Sequence, residues 1–148
     1  MSSADVHALA GTRHGPTGWR TVTQADIDAL AALAGDRQWI HVDVERARRE
    51  SPFGETIAHG TLSLALIDGF RDELLPMSGY ALGVNYGFDR VRFPAPLRAG
   101  ARVRATMEIP AVDDAGEGWI AITQRFTVEA EGEPKPVCVA DSLVRVRL

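Results

Sequence analysis

Residues 60–76, GTLSLALIDGFRDELLP, are the stretch on which the fold turns. Its first half is apolar nearly all round, with Leu62, Leu64, Ala65, Leu66 and Ile67 in close succession. A short apolar run fits a buried strand or a buried helix, and periodicity alone does not separate them. Length, the leucine and alanine content and the scarcity of β-branched residues select helix. Pro76 stops it. A helix that is apolar on every side belongs inside a protein, so this segment is expected at the centre of the molecule.

Beyond Pro76 the pattern changes. Residues 80–93 (YALGVNYGFDRVRF), 101–112 (ARVRATMEIPAV), 118–130 (GWIAITQRFTVEA) and 136–148 (PVCVADSLVRVRL) read as four strands. In the second, Val103, Ala105, Met107 and Ile109 face one way and Arg102, Arg104, Thr106 and Glu108 the other. In the third, Ile120, Ile122, Phe126 and Val128 share a face. PAPLRAG, DDAGEG and EGEPKP supply the turns between them. Long strands in series with short connections imply an antiparallel sheet. One buried helix with such a sheet is an α+β layer fold, and the simplest arrangement wraps the sheet around the helix.

Upstream, residues 18–36 read GWRTVTQADIDALAALAGD. WRTVT has the composition of a short strand. Thr23 is placed to cap a helix, with Asp26 three residues on as a shorter form of the capping box. Ile27, Leu30, Ala31 and Ala34 recur at helical spacing, and Gly35 is a stop signal. DVERARRE (43–50) is a short charged helix, and SPFGETIAHG (51–60) is loop. Residues 1–16 carry little pattern and are expected to be loosely structured, leaving one domain over 17–148.

The totals narrow the function. A chain of 148 residues suits one core. A net charge of −4 argues against a nucleic-acid binder, whose domains usually carry a basic face. The lone Cys138 allows no intrachain disulfide. The first residues lack the basic flank and apolar core of a signal peptide, and no run is long enough to span a bilayer. The expectation is a cytoplasmic protein with no membrane and no nucleic-acid partner.

The most chemical stretch is AGDRQWIHVD, residues 34–43, which sets Asp36 just past a helix end and His41 five residues later. It resembles the hydratase motif of the MaoC-like family, the (R)-specific enoyl-CoA hydratases. The family pattern runs Gly-Asp, any residue, Asn-Pro, an aliphatic, His, and an acid two further on. Gly35, Asp36, Ile40, His41 and Asp43 match it, while Gln38 and Trp39 stand in place of Asn-Pro. The wording is similar to the nodulation protein N-like branch. The resemblance continues in FGETIAHGTLSLAL (53–66) and NYGFDRVRFPAPLRAG (85–100), and so covers most of the chain.

That resemblance implies a hot-dog fold, a homodimer built edge to edge, and a lyase that reversibly hydrates a 2-enoyl thioester of CoA or a carrier protein to the (R)-3-hydroxyacyl thioester. It implies Asp36 and His41 as the pair that handles the water. It also implies Gly60 as the backbone N–H donor to the thioester oxygen. The first N–H groups of a helix have no partner within it and favour negative charge, and glycine admits close approach. Asn85, Tyr86 and His59 are the expected substrate-binding residues, beside the plainer readings of sheet positions and a packed loop histidine. No metal or redox cofactor is expected, with CoA entering as part of the substrate. His41, Asp43 and His59 have donor atoms, but their spacing matches no zinc pattern. Ser63 is expected to bond back to a carbonyl one turn earlier. Trp39 is read as packing under the loop to hold His41, or as ordinary core or dimer contact. The competing functions are an acyl-CoA thioesterase and a non-catalytic acyl-thioester-binding protein of the same fold.

Overall fold

A computed structural model of the chain describes residues 2–148. Its elements in order are α1 (Ser3–His7), β1 (Arg13–His14), β2 (Arg20–Thr21), α2 (Gln24–Ala34), α3 (Trp39–Val42), α4 (Val44–Glu50), α5 (Gly60–Leu74), β3 (Leu82–Arg92), β4 (Arg102–Gly116), β5 (Trp119–Ala130) and β6 (Cys138–Arg147). The strands form one antiparallel sheet in the order β1-β4-β5-β6-β3, with β2 also paired to β4. The alternation read in the sequence decides which face is inside. Val103, Ala105, Met107, Ile109, Phe126 and Val128 are fully buried. Against that face lies α5, through Leu66, Ile67 and Phe70. This is the expected hot-dog arrangement, a sheet curled around one long helix.

Three expectations are corrected. The helix is not enclosed on every side: Ser63, Leu66, Ile67 and Phe70 are buried, while Thr61, Ala65, Asp68 and Gly69 are exposed. The sheet covers one flank only, so the burial has the spacing of an amphipathic helix. The first residues are not loose. Ser2 caps α1 in a reciprocal box with Asp5, Val6 is fully buried in the main core, and Arg13 and His14 pair with Glu108 and Met107. A five-residue helix carrying one core side chain is too short for periodicity to reveal. The WRTVT strand shrinks to Arg20–Thr21, because Val22 turns inward and its N–H donates to the Ala101 carbonyl.

The elements that position the site match the sequence closely. Asp26 N–H donates to Thr23 Oγ1 at 3.2 Å, and Thr23 N–H donates to Asp26 Oδ2 at 2.8 Å. That capping box starts α2, and Gly35 ends it in the left-handed conformation with φ 74°. Asp43 caps α4 by accepting from the Arg46 N–H.

Candidate active site

The turn after Gly35 presents Asp36 to solvent and carries the chain into α3. Gln38 precedes that helix with φ −55°. Trp39 occupies its first position, the place where proline is best tolerated because the N–H needs no helical partner. The geometry of a proline turn is therefore kept without the proline. Trp39 is half-buried, with the Arg46 guanidinium 4.4 Å above its ring, and is not a core residue. Gln24 ties the turn down. Its amide donates to the His41 carbonyl at 2.8 Å and accepts from Thr56 Oγ1 at 2.6 Å.

α3 delivers His41 into the interior, 7% exposed. Its Nδ1 lies 2.7 Å from the Ile57 carbonyl. A carbonyl only accepts, so Nδ1 carries the hydrogen and Nε2 keeps its lone pair. That lone pair stands 4.0 Å from Asp36 Oδ2. The gap is too long for a direct hydrogen bond and wide enough for one water to touch both atoms.

His59, the residue before α5, stacks on His41 with ring centroids 3.8 Å apart and planes 25° off parallel. Its Nε2 donates to the Asp36 carbonyl at 3.0 Å, and its buried Nδ1 has no partner among the described residues. Among the described residues no side chain caps α5, and the Gly60 N–H has no backbone acceptor. A cavity of about 340 Å³ opens at this helix start, lined by His41, Gly60, Ser63, Phe53 and Phe93. Missing side-chain space at Gly60 is used by Phe93. A Cβ there would lie 2.6–2.9 Å from its ring. The Ser63 hydroxyl forms no bond to a carbonyl one turn back; the residue is buried and lines the cavity.

Donor atoms of Asp36, His41 and His59 all lie within 4.8 Å of one another, whereas Asp43 serves as a helix cap. Of the three, the His59 Nε2 that faces Asp36 is already engaged with the Asp36 carbonyl.

The remaining expected residues separate. Asn85 lines a second cavity, at the other end of α5. Tyr86 sits in a β-bulge, 60% exposed under the Arg145 guanidinium, and lines neither cavity. Of the arginines clustered after α5, Arg90, Arg98, Arg102 and Arg104 each pair with a carboxylate. Arg92, the residue before Phe93 of the cavity lining, pairs with none among the described residues.

Residues 6–130 match the family model described as MaoC like domain. The 3-hydroxyacyl-thioester dehydratase Z of Mycobacterium tuberculosis (strain H37Rv) is 48% identical over 144 residues, covering 97% of this chain and 95% of that protein. Nodulation protein N of Rhizobium leguminosarum bv. viciae is 41% identical over 142 residues, covering 95% and 88%. Among solved structures, a MaoC-like dehydratase from Rhodospirillum rubrum superposes with a TM-score of 0.73 at 25% identity, covering 99% of this chain and 97% of that one. An (R)-hydratase of Pseudomonas aeruginosa in its unliganded form gives 0.70 at 24% identity, covering 93% and 81%, a likeness of fold alone.

Proposed function

The chain belongs to the MaoC-like dehydratase family, and on that premise we propose that it reversibly adds water to a 2-enoyl thioester of CoA or a carrier protein, giving the (R)-3-hydroxyacyl thioester. The observation that carries this reading is the 4.0 Å gap between His41 Nε2 and Asp36 Oδ2, beside a Gly60 N–H that has no acceptor among the described residues. A water in that gap directs one hydrogen to the Nε2 lone pair and the other to the carboxylate. Its oxygen bonds to the β-carbon, and the π pair moves through the α-carbon onto the thioester oxygen. The Gly60 N–H and the helix dipole receive that charge, a contribution of about 3 kcal/mol for one such donor. The α-carbon then takes the proton held on His41. H and OH of one water are thereby added, and both side chains return to their starting states. Dehydration of the hydroxyacyl thioester is the reverse path.

The Ile57 carbonyl supports this role by fixing the tautomer of His41. The phosphates of the thioester carrier are assigned to Arg92, a cation without a carboxylate partner among the described residues and the neighbour in sequence of Phe93 in the cavity lining. The scheme calls for no metal or redox group. Two copies are proposed to join along β3, the long edge strand of the sheet.

The test monitors the conjugated enoyl absorbance of short and medium 2-enoyl-CoA with purified protein, with a thiol reagent in parallel and Asp36→Asn as control. Loss of absorbance without thiol release, abolished in the variant, is the expected result. Thiol release would move the assignment to a thioesterase. No change with either substrate would leave an acyl-binding role.

A further inference from the structure

α3 is a single turn, Trp39–Val42, and a helix leaves its last carbonyls without helical partners. Two of them are taken up from outside. The Ile40 carbonyl accepts from the Ile57 N–H at 3.0 Å, and the His41 carbonyl accepts from Gln24 Nε2 at 2.8 Å. Because a carbonyl only accepts, the NH2 of Gln24 must face His41, and its oxygen is left for Thr56. The whole amide is engaged. Nε2 also donates to Asp28 Oδ1 at 2.8 Å, and Oε1 accepts from Thr56 Oγ1 at 2.6 Å. Thr56 is buried, and its own carbonyl accepts from the Ala99 N–H at 3.0 Å. Gln24 holds the first position of α2. Thr23 and Asp26 already cap that helix, so the amide is not needed to start it.

The amide thus grips both things that decide where the His41 ring lies. One is the peptide that carries the ring. The other is the neighbour of Ile57, whose carbonyl holds His41 Nδ1 at 2.7 Å. A single hydrogen bond between α3 and residues 56–57 acts as a pivot. The Ile57–Ile40 bond by itself lets the turn swing, and the ring then slides off the Ile57 carbonyl. The bridge from the His41 carbonyl through Gln24 to Thr56 is a second point of attachment and stops that swing. Resting on the hydration reading above, we infer that Gln24 is a positioning residue for the reaction, one that keeps the imidazole on the Ile57 carbonyl, its hydrogen on Nδ1 and its Nε2 lone pair toward Asp36. The residue type follows from the partners. A peptide carbonyl needs a donor and a hydroxyl needs an acceptor. Glutamate would set an acceptor against the His41 carbonyl and Asp28, and leucine would serve neither.

The experiment reads the tautomer from the imidazole nitrogen NMR shifts of histidine-labelled protein at about pH 8.5, well above the ordinary histidine range. The His41 signals are assigned by their loss in His41→Gln. Wild type is expected in the Nδ1–H form. A hydrogen bond to one ring nitrogen favours its tautomer about tenfold, so Gln24→Leu and the milder Thr56→Val are expected to bring the two forms toward equal populations. Thr56→Ser keeps the hydroxyl and is expected to restore the wild-type spectrum. With crotonyl-CoA, kcat is expected to fall about tenfold in the first two variants, with KM within about twofold, and to recover in the serine variant. Thermal unfolding checks that each variant is folded, and Thr56→Val decides if Gln24→Leu is not. An unchanged His41 tautomer in the folded variants would overturn the inference, as would a wild-type kcat in them or an equal loss of kcat in Thr56→Ser. The spectrum needs no turnover. Wild-type protein that hydrates no enoyl-CoA sinks the hydration reading, while the tautomer still decides whether Gln24 holds His41 in place.

Discussion

His41 and His59 lie face to face, 3.8 Å between ring centroids, and the Nε2 atoms of both stand within 4.0 Å of the same Asp36 carboxylate oxygen. The two rings differ in what they hold. His41 is anchored through Nδ1 and leaves Nε2 free, whereas His59 spends Nε2 on the Asp36 carbonyl. In the proposed mechanism His59 is a positioning residue, one that grips the Asp36 backbone and packs against His41.

That division of labour can be taken apart. His59→Phe keeps a ring on His41 and removes the donor to Asp36. His59→Gln keeps a donor at that reach and removes the aromatic ring. Losing one such hydrogen bond, worth about 1 kcal/mol, is expected to lower kcat roughly fivefold to tenfold with little change in KM. The glutamine variant is expected to recover most of kcat if the grip on Asp36 matters more than the stack. Steady-state kinetics over a range of pH check this, since a merely structural residue would lower the melting temperature and leave the kcat of the folded fraction unchanged.

Gly60 gives the second expectation. A Cβ there meets the Phe93 ring at 2.6–2.9 Å, and Phe93 is itself 44% exposed at the cavity. Gly60→Ala is expected to push the ring aside, at a cost of about 1–3 kcal/mol in stability, and to lower kcat/KM by disturbing the cavity wall. Adding Phe93→Ala removes the obstacle. Denaturant melts of the single and double variants should then show stability returning toward that of Phe93→Ala alone. A Gly60→Ala penalty that persists in the double variant would place the strain in the backbone.

Much of this was legible in the sequence because it rests on local chemistry. Thr23 with Asp26, Gly35 at the helix exit and the alternation from Val103 to Ile109 each state their structure in a few residues. The family resemblance of residues 34–43 implies that Asp36 and His41 act together, and the structure sets His41 Nε2 and Asp36 Oδ2 4.0 Å apart. The long-range contacts are hidden. Gln24 bonding to His41 and Thr56, the stack of His59 on His41 and the Arg71–Gln124–Ser142 network join residues far apart in the chain. Gln124 did leave a signal, a polar residue at an inward position between Ile122 and Phe126. The first helix left none, because its one buried residue, Val6, sets no period.

The edge of the sheet carries a third expectation. β3 ends the strand order, and it leaves Leu82, Val84 and Tyr86 exposed, at 49%, 37% and 60%. A long apolar edge is a template for pairing. If two copies join there, Val84→Lys with Leu82→Lys should dissociate the dimer at micromolar concentration. Sedimentation velocity reads this directly, and an unchanged sedimentation coefficient for a folded variant would move the interface elsewhere.

Cys138 gives the last. It lies fully buried at the start of β6, paired in register with Val128, and burial pushes its thiol up to about 11. The direction comes from cost: the apolar surroundings penalise the thiolate and leave the neutral thiol untouched. At pH 8 the native thiolate fraction is then about a thousandth, so iodoacetamide should label the folded protein very slowly and the guanidinium-unfolded chain at the rate of an ordinary thiol. The same shift fixes a stability window. The folded value lies above the unfolded one, so its contribution is fully present below about pH 8.5 and is lost as pH rises toward 11. Denaturant midpoints measured from pH 8 to 11 should therefore fall in wild type and fall less in Cys138→Ala, after allowance for the cavity that the smaller side chain leaves. Equal slopes in the two proteins would mean that the thiol titrates alike in the folded and the unfolded chain, so that burial does not raise it.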